Sequence, residues 1–304
     1  GLREPGAGLL LTDSTGRRQG RRPGQHSQPG AAPERGPSMS TAIALVRSLK
    51  AEVRKTVGLP GAWLGVALAI MLPTLIEYYS DRKLPDELAN GDLQALAKLD
   101  NVGVTGIYFG TAGIVVLAAS VVVSEYAITP HTNNASRQVT TTMLIQPRRG
   151  AAIVAKLLVV LAASTVIMTL TSALTLSLCE HLLGPWISFD PLPWQRLVGL
   201  LCWWIFSAIA AMALAVATRN ALASMTLLIA MSTMISPGLI VLQWTNMARF
   251  LPDTAAVRII ASPTTLHYDE LVKLLSIPMA AYICAAWAGG CATVCCWVWM
   301  RRDT

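Results

Sequence analysis

Apolar blocks of about 20 residues recur through the sequence, near 62–79, 104–123, 154–178, 197–217, 221–242 and 279–299. That length is what an α-helix needs to cross the hydrocarbon of a bilayer. The blocks lack the period-two alternation of a membrane barrel. A helix also satisfies all its backbone groups internally where no water is present. Composition agrees: 53% of the 304 residues are hydrophobic and 13% are charged, against about 25% charged in soluble domains. The expectation is an all-α membrane protein with six transmembrane helices over 61–304.

Ahead of the blocks, positions 1–38 are rich in Gly, Pro, Arg and Gln and hold six basic residues. Such a composition cannot bury a core. It reads as a disordered tail, an upstream extension of a protein starting at Met39. Between 39 and 60 the stretch STAIALVRSLKAEVRKTVG sets Ile43, Leu45, Val46, Leu49 and Val53 mostly along one side, with Arg47, Lys50, Arg54 and Lys55 elsewhere. This predicts an amphipathic interface helix on an anionic membrane surface.

The net charge of +7 follows from the tail and from cations flanking the blocks, so nucleic acid is not an expected partner. With the amino terminus inside, the inner segments carry Arg47, Lys50, Arg54, Lys55, Arg137, Arg148, Arg149, Lys156, Arg219, Arg301 and Arg302 against the acids Glu52, Glu125 and Asp303. The positive-inside rule then places both termini in the cytoplasm. Pro73 and Pro237 are expected to kink or shorten the helices that carry them. The G-x-x-x-G runs Gly61–Gly65 and Gly106–Gly110 mark faces for close helix packing, with Gly106 and Gly110 the packing residues of span two.

Several chemistries find no residues to perform them. No lysine follows a glycine as in a P-loop, so the chain has no ATPase motif of its own. No catalytic set and no metal site is expected. Glu77 stands at the outer end of span one, where a carboxylate reaches water, and few or no charges are expected inside. The cysteines lie in or beside apolar blocks at spacings that suit packing.

The connector SEYAITPHTNNASRQVTTTMLIQPRRGAAIVAK joins spans two and three on the cytoplasmic side. ASRQVTTTMLIQ has the pattern of a short amphipathic helix that Pro147 stops. Glu125 and the pair Arg148 and Arg149 bracket it. Such an element suits docking on a soluble partner, and force on it would pass into both spans. The arginines equally suit anchoring of span three by the positive-inside rule, and spacing does not separate the two readings.

The same residues resemble the permease subunits of type-2 ABC exporters, particularly actinobacterial ones. The resemblance rests on Ser124, Glu125 and Tyr126, on Arg137, Thr141 and Thr142, on Pro147, Arg148 and Arg149, and on Ala155 and Lys156. Arg47, Glu52 and Lys55 resemble that family's interface helix, and FLPDTAAVRII (250–260) is similar to its re-entrant outer segment before span six. The stretch between Tyr126 and Pro147 is longer than the usual family pattern. The resemblance implies a cytoplasmic coupling helix between spans two and three, with Glu125, Arg137, Arg148 and Arg149 as coupling positions. It also implies a separate ABC ATPase subunit that binds the ATP, a second permease copy or paralogue, and export of a hydrophobic or amphipathic drug, lipid or peptide at the plasma membrane. A non-transporting membrane assembly or immunity subunit is the alternative, and an intramembrane enzyme would require Glu77, Glu180 and His181 to converge.

Overall fold

The computed structural model describes residues 41–126, 149–187, 194–231, 237–262, 273 and 275–301, all within the compact unit Ser40–Thr304. Every regular element among the described residues is helical: α1 (Thr41–Val57), α2 (Pro60–Asp81), α3 (Leu84–Ala89), α4 (Leu93–Leu99), α5 (Val104–Phe109), α6 (Thr111–Val123), α7 (Arg149–Leu183), α8 (Trp194–Thr218), α9 (Ala221–Met231), α10 (Pro237–Leu242), α11 (Pro252–Ile260) and α12 (Ile277–Arg301), with short 3-10 turns between some of them. Among the described residues, five helical stretches are long and apolar enough to cross a membrane: Pro60–Ala89, Val104–Tyr126, Gly150–Leu183, Trp194–Thr218 and Ile277–Arg301. Of the block expected as a span at 221–242, the described residues form α9 and α10, each shorter than a crossing, on either side of residues 232–236, which lie outside the described set. Pro237 opens α10, a position where its missing N–H costs nothing and where a preceding helix tends to stop.

α6 and α8 form the centre. α6 packs on α2, α8 and α9, and α8 packs in addition on α11 and α12. The sequence TAGIVVLAASVVV is apolar all round, which suits a helix enclosed by others, and most of α6 is buried. α2 and α12 sit at the margin and turn Trp63, Leu64, Met71, Tyr282, Val294 and Trp297 outward. Large apolar side chains facing out is the pattern that lipid stabilises.

α1 shows the same inversion. That helix packs against α7 with its polar residues Ser48 and Glu52 buried, while Val46 and Val53 are exposed. In lipid the apolar face can stay outside, whereas a polar face needs protein partners, so the helix docks by its charged side.

Glycines let α2 meet the helices beside it. A Cβ at Gly65 would lie 2.6 Å from the Leu117 nitrogen, one at Gly106 2.7 Å from Glu77 Cγ, and one at Gly110 2.6 Å from Trp204 Cζ2. At Gly113 it would fall on the Ala69 backbone and the Gly65 carbonyl. α2 continues through Pro73 to Asp81. Because Pro73 has no N–H, the Ala69 carbonyl loses its helical donor, and Thr171 Oγ1 donates to it at 3.2 Å from α7. Thr171→Val is therefore expected to lower stability by about 0.5–1.5 kcal/mol. Thermal unfolding in detergent checks this, with the exposed Thr165→Val as the control that should change little.

α11 is too short to cross and is almost wholly buried between α8 and α12. Its amino end lies level with the first half of α12: the Pro252 carbonyl accepts from Cys284 Sγ at 3.8 Å, and the Phe250 carbonyl accepts from Trp287 Nε1 at 2.7 Å. Its far end meets the start of α8. There Arg196 donates to the carbonyls of Ile260 at 2.7 Å and Asp100 at 2.6 Å and to Asn101 Oδ1 at 2.8 Å. One guanidinium thus ties the carboxyl end of α11 to the connector between α4 and α5.

Candidate functional site

Where the connector 127–148 leaves α6 and enters α7, four charged side chains from three elements converge. Glu52 and Lys55 come from α1, Glu125 from the 3-10 turn Ser124–Tyr126, and Lys156 from the second turn of α7. Lys156 Nζ donates to Glu52 Oε2 at 2.6 Å and to Glu125 Oε1 at 3.1 Å. Lys55 Nζ donates to the same Glu125 oxygen at 2.9 Å and stands 3.9 Å from Glu52 Oε1. Glu52 and Lys156 are 2% exposed and Glu125 1%, whereas Lys55 is 31% exposed.

Two cations balance two anions, which is what allows the group to leave water. Sequence order explains the geometry. Glu52 and Lys55 are one turn apart and share a side of α1, and the Ser124–Tyr126 turn ends α6 so that Glu125 points back toward that side. Lys156 then enters between the two carboxylates. Neither root of the connector can shift without moving α1.

Tyr126 extends the cluster to α12 and to the turn between α8 and α9. The Arg219 guanidinium lies 5.5 Å over its ring, and Trp299 near the end of α12 meets the ring edge-on at 6.4 Å. Arg219 takes φ 56° in the turn from α8 to α9, an uncommon conformation for a residue other than glycine.

Compared with known proteins, the chain matches no family model, no curated protein and no solved structure.

Of the positions expected at the connector, the structure describes Glu125, whose carboxylate faces into the bundle. Arg137 and Arg148 lie outside the described residues, and Arg149 opens α7 with its backbone alone described. Glu52, Lys55 and Lys156 are brought to Glu125 by contacts spanning up to 104 residues. Their pairing was not legible locally, although an acid and a base one turn apart on α1, and a lone lysine in the apolar start of α7, were signals of it.

The expectation of few buried charges is overturned. Glu77, Asp81 and Arg196 are buried, with Glu52, Glu125 and Lys156. Glu77 does not reach outward: its Oε1 accepts from the Gly106 N–H at 2.5 Å. Glycine at 106 makes that approach possible. Glu180 and His181 are exposed, so they do not join Glu77 in a buried catalytic set.

Proposed function

We propose that this chain is the membrane-spanning permease subunit of a type-2 ABC exporter, driven by a separate nucleotide-binding subunit. The observation that carries the reading is the neutral cluster of Glu52, Lys55, Glu125 and Lys156, which fastens both roots of the 127–148 connector to α1. A connector whose two roots form one unit passes a push at its tip into α6 and α7 together. A merely topological cation cluster would not need buried acids from two other elements.

In this reading the connector is a coupling helix, with Arg148 and Arg149 facing the ATPase and Glu125 holding the root. ATP binding by two partner subunits draws two permease copies together and shifts the population between inward-facing and outward-facing states, to the extent that partner contact is tighter in one of them. α9 and α10 with the residues between them supply a sixth span, and the segment 246–260 re-enters from outside. Both termini are cytoplasmic in the plasma membrane. The apolar walls suit a hydrophobic or amphipathic substrate such as a drug, lipid or peptide.

Affinity purification from membranes of the native source tests the proposal. The natural chain should retain a stoichiometric soluble ATPase, and the Arg148→Glu, Arg149→Glu double variant should lose most of it at unchanged expression. Absence of any ATPase under mild detergent with trapped nucleotide would sink the reading and favour a non-transporting assembly or immunity subunit.

A further inference from the structure

At the other end of the bundle, about 35 Å along α7 from Lys156 by helical rise, a second polar group is buried. Glu77 and Asp81, one turn apart on α2, meet Cys179 of α7, and one donor atom from each lies within 4.8 Å of the others. Cys179 Sγ donates to Asp81 Oδ2 at 3.5 Å. All three are buried, at 2% exposure for each carboxylate and none for the thiol.

We propose that Glu77, Asp81 and Cys179 form a binding site for a divalent transition-metal ion of the zinc class. The donor set is the first reason. Thiolate and carboxylate oxygens are the ligands zinc takes, at about 2.0–2.3 Å, which puts neighbouring donors roughly 3.3–3.7 Å apart. The Asp81–Cys179 separation already matches that spacing. Glu77 needs only a side-chain adjustment, and the Gly106 N–H holds its carboxylate as supporting hydrogen bonds do around metal ligands.

The second reason is a hydroxyl with nothing to bond. Thr171, Thr175 and Cys179 form one ridge of α7. The ends of that ridge touch α2 at Ala69 and Asp81, so Thr175 lies on the α2-facing ridge between them, one turn from Cys179. Thr175 is fully buried and its Oγ1 makes no hydrogen bond. A water or carboxylate oxygen held on an ion there would give it a partner.

Access to the two carboxylates is the third. A cavity of about 340 Å³ is lined by Glu77, Ser80, Asp81, Asn101 and Thr105 and by Lys98. The Lys98 ammonium is turned to Glu87 Oε2 at 2.8 Å and is half exposed, so it does not neutralise the two acids. Binding balances as a simple exchange: Cys179 releases its proton to solvent, Sγ and the carboxylate oxygens donate electron pairs to the ion, and water lost from the ion returns to bulk. The product joins α2 to α7 at the end opposite the Glu52–Lys156 cluster.

The test uses the full chain in detergent, stripped with chelator and titrated with Co²⁺. One equivalent should bind with a thiolate-to-cobalt charge-transfer band in the near ultraviolet, and Zn²⁺ should bleach it. Cys179→Ser should abolish the band. Asp81→Asn and Glu77→Gln should each weaken binding by more than the tenfold to hundredfold typical of losing a supporting partner. Five other cysteines remain in Cys179→Ser, so a band that survives in it places the metal elsewhere and overturns the proposal. So does the absence of any band in the parent, or unchanged affinity in Asp81→Asn. Size-exclusion profiles and metal-free melting of each variant separate loss of a ligand from loss of fold. Should Cys179→Ser fail to fold, Asp81→Asn decides.

Discussion

Replacing Lys156 by methionine is expected to lower stability by about 3–5 kcal/mol, the cost of leaving a buried partner charge uncompensated. The side chain is 2% exposed and lies 2.6 Å and 3.1 Å from two carboxylates that are themselves buried. Without it, Glu52 and Glu125 retain Lys55, which stands 2.9 Å from one and 3.9 Å from the other. A half-shielded ammonium compensates two desolvated anions less well than the pair of ammoniums does. Lys55→Met should cost far less, on the order of 1 kcal/mol, because water already reaches that site. Pairing Lys156→Met with Glu52→Gln should recover part of the loss, since the double change removes one charge of each sign. Chemical denaturation in mixed micelles checks the series. If Lys156→Met and Lys55→Met fall within about 1 kcal/mol of each other, the lysine is not desolvated and the roots of the connector are not locked as described.

The proposed transport role gives the same variants a second expected readout. Even where Glu52→Gln folds, α1 should be less firmly tied to α7, and ATPase stimulated through the connector should fall more than ATPase binding does. In the proposed role, binding would rest on the connector itself and transmission on its roots.

Much of the helical framework is legible in the sequence because a span is a length and a composition, and both are local. The blocks at 62–79, 154–178, 197–217 and 279–299 appear within long helical stretches that extend beyond them at both ends, and the block at 104–123 within one that runs on to Tyr126. The block at 221–242 has the composition of a span, and its described parts are α9 and α10, on either side of residues 232–236, which lie outside the described set. Buried charge is the part that sequence hides. Glu77 and Asp81 lie near a span end, where carboxylates ordinarily reach water, and the four charges at the connector roots look like flanking signals. Each is buried because a residue distant in the chain meets it: Gly106 for Glu77, Cys179 for Asp81, Lys156 for Glu52 and Glu125. A helix one turn from water cannot announce which neighbour will cover it.

Gly113 carries the second large expectation. α2 and α6 approach so closely that a Cβ at this position would fall on the nitrogen and Cα of Ala69 and on the Gly65 carbonyl. Those are backbone atoms of a packed helix and cannot rotate aside, so α2 must move bodily. Gly113→Ala should cost about 3 kcal/mol, at the upper end of the usual penalty for overpacking, and Gly113→Leu more. The displacement would also pull Ala69 from Thr171 and Glu77 from Gly106, which adds lost hydrogen bonds to the steric cost. Gly290→Ala supplies the contrast, because nothing lies within 4 Å of a Cβ there, and the gain in helix propensity should leave the chain neutral or up to about 1 kcal/mol more stable. Thermal melting of the two alanine variants side by side separates close approach from glycine's intrinsic cost. Equal melting temperatures would mean that the α2–α6 seam can open at no cost, and Glu77 would then be free to leave the buried position on which the proposed metal site depends.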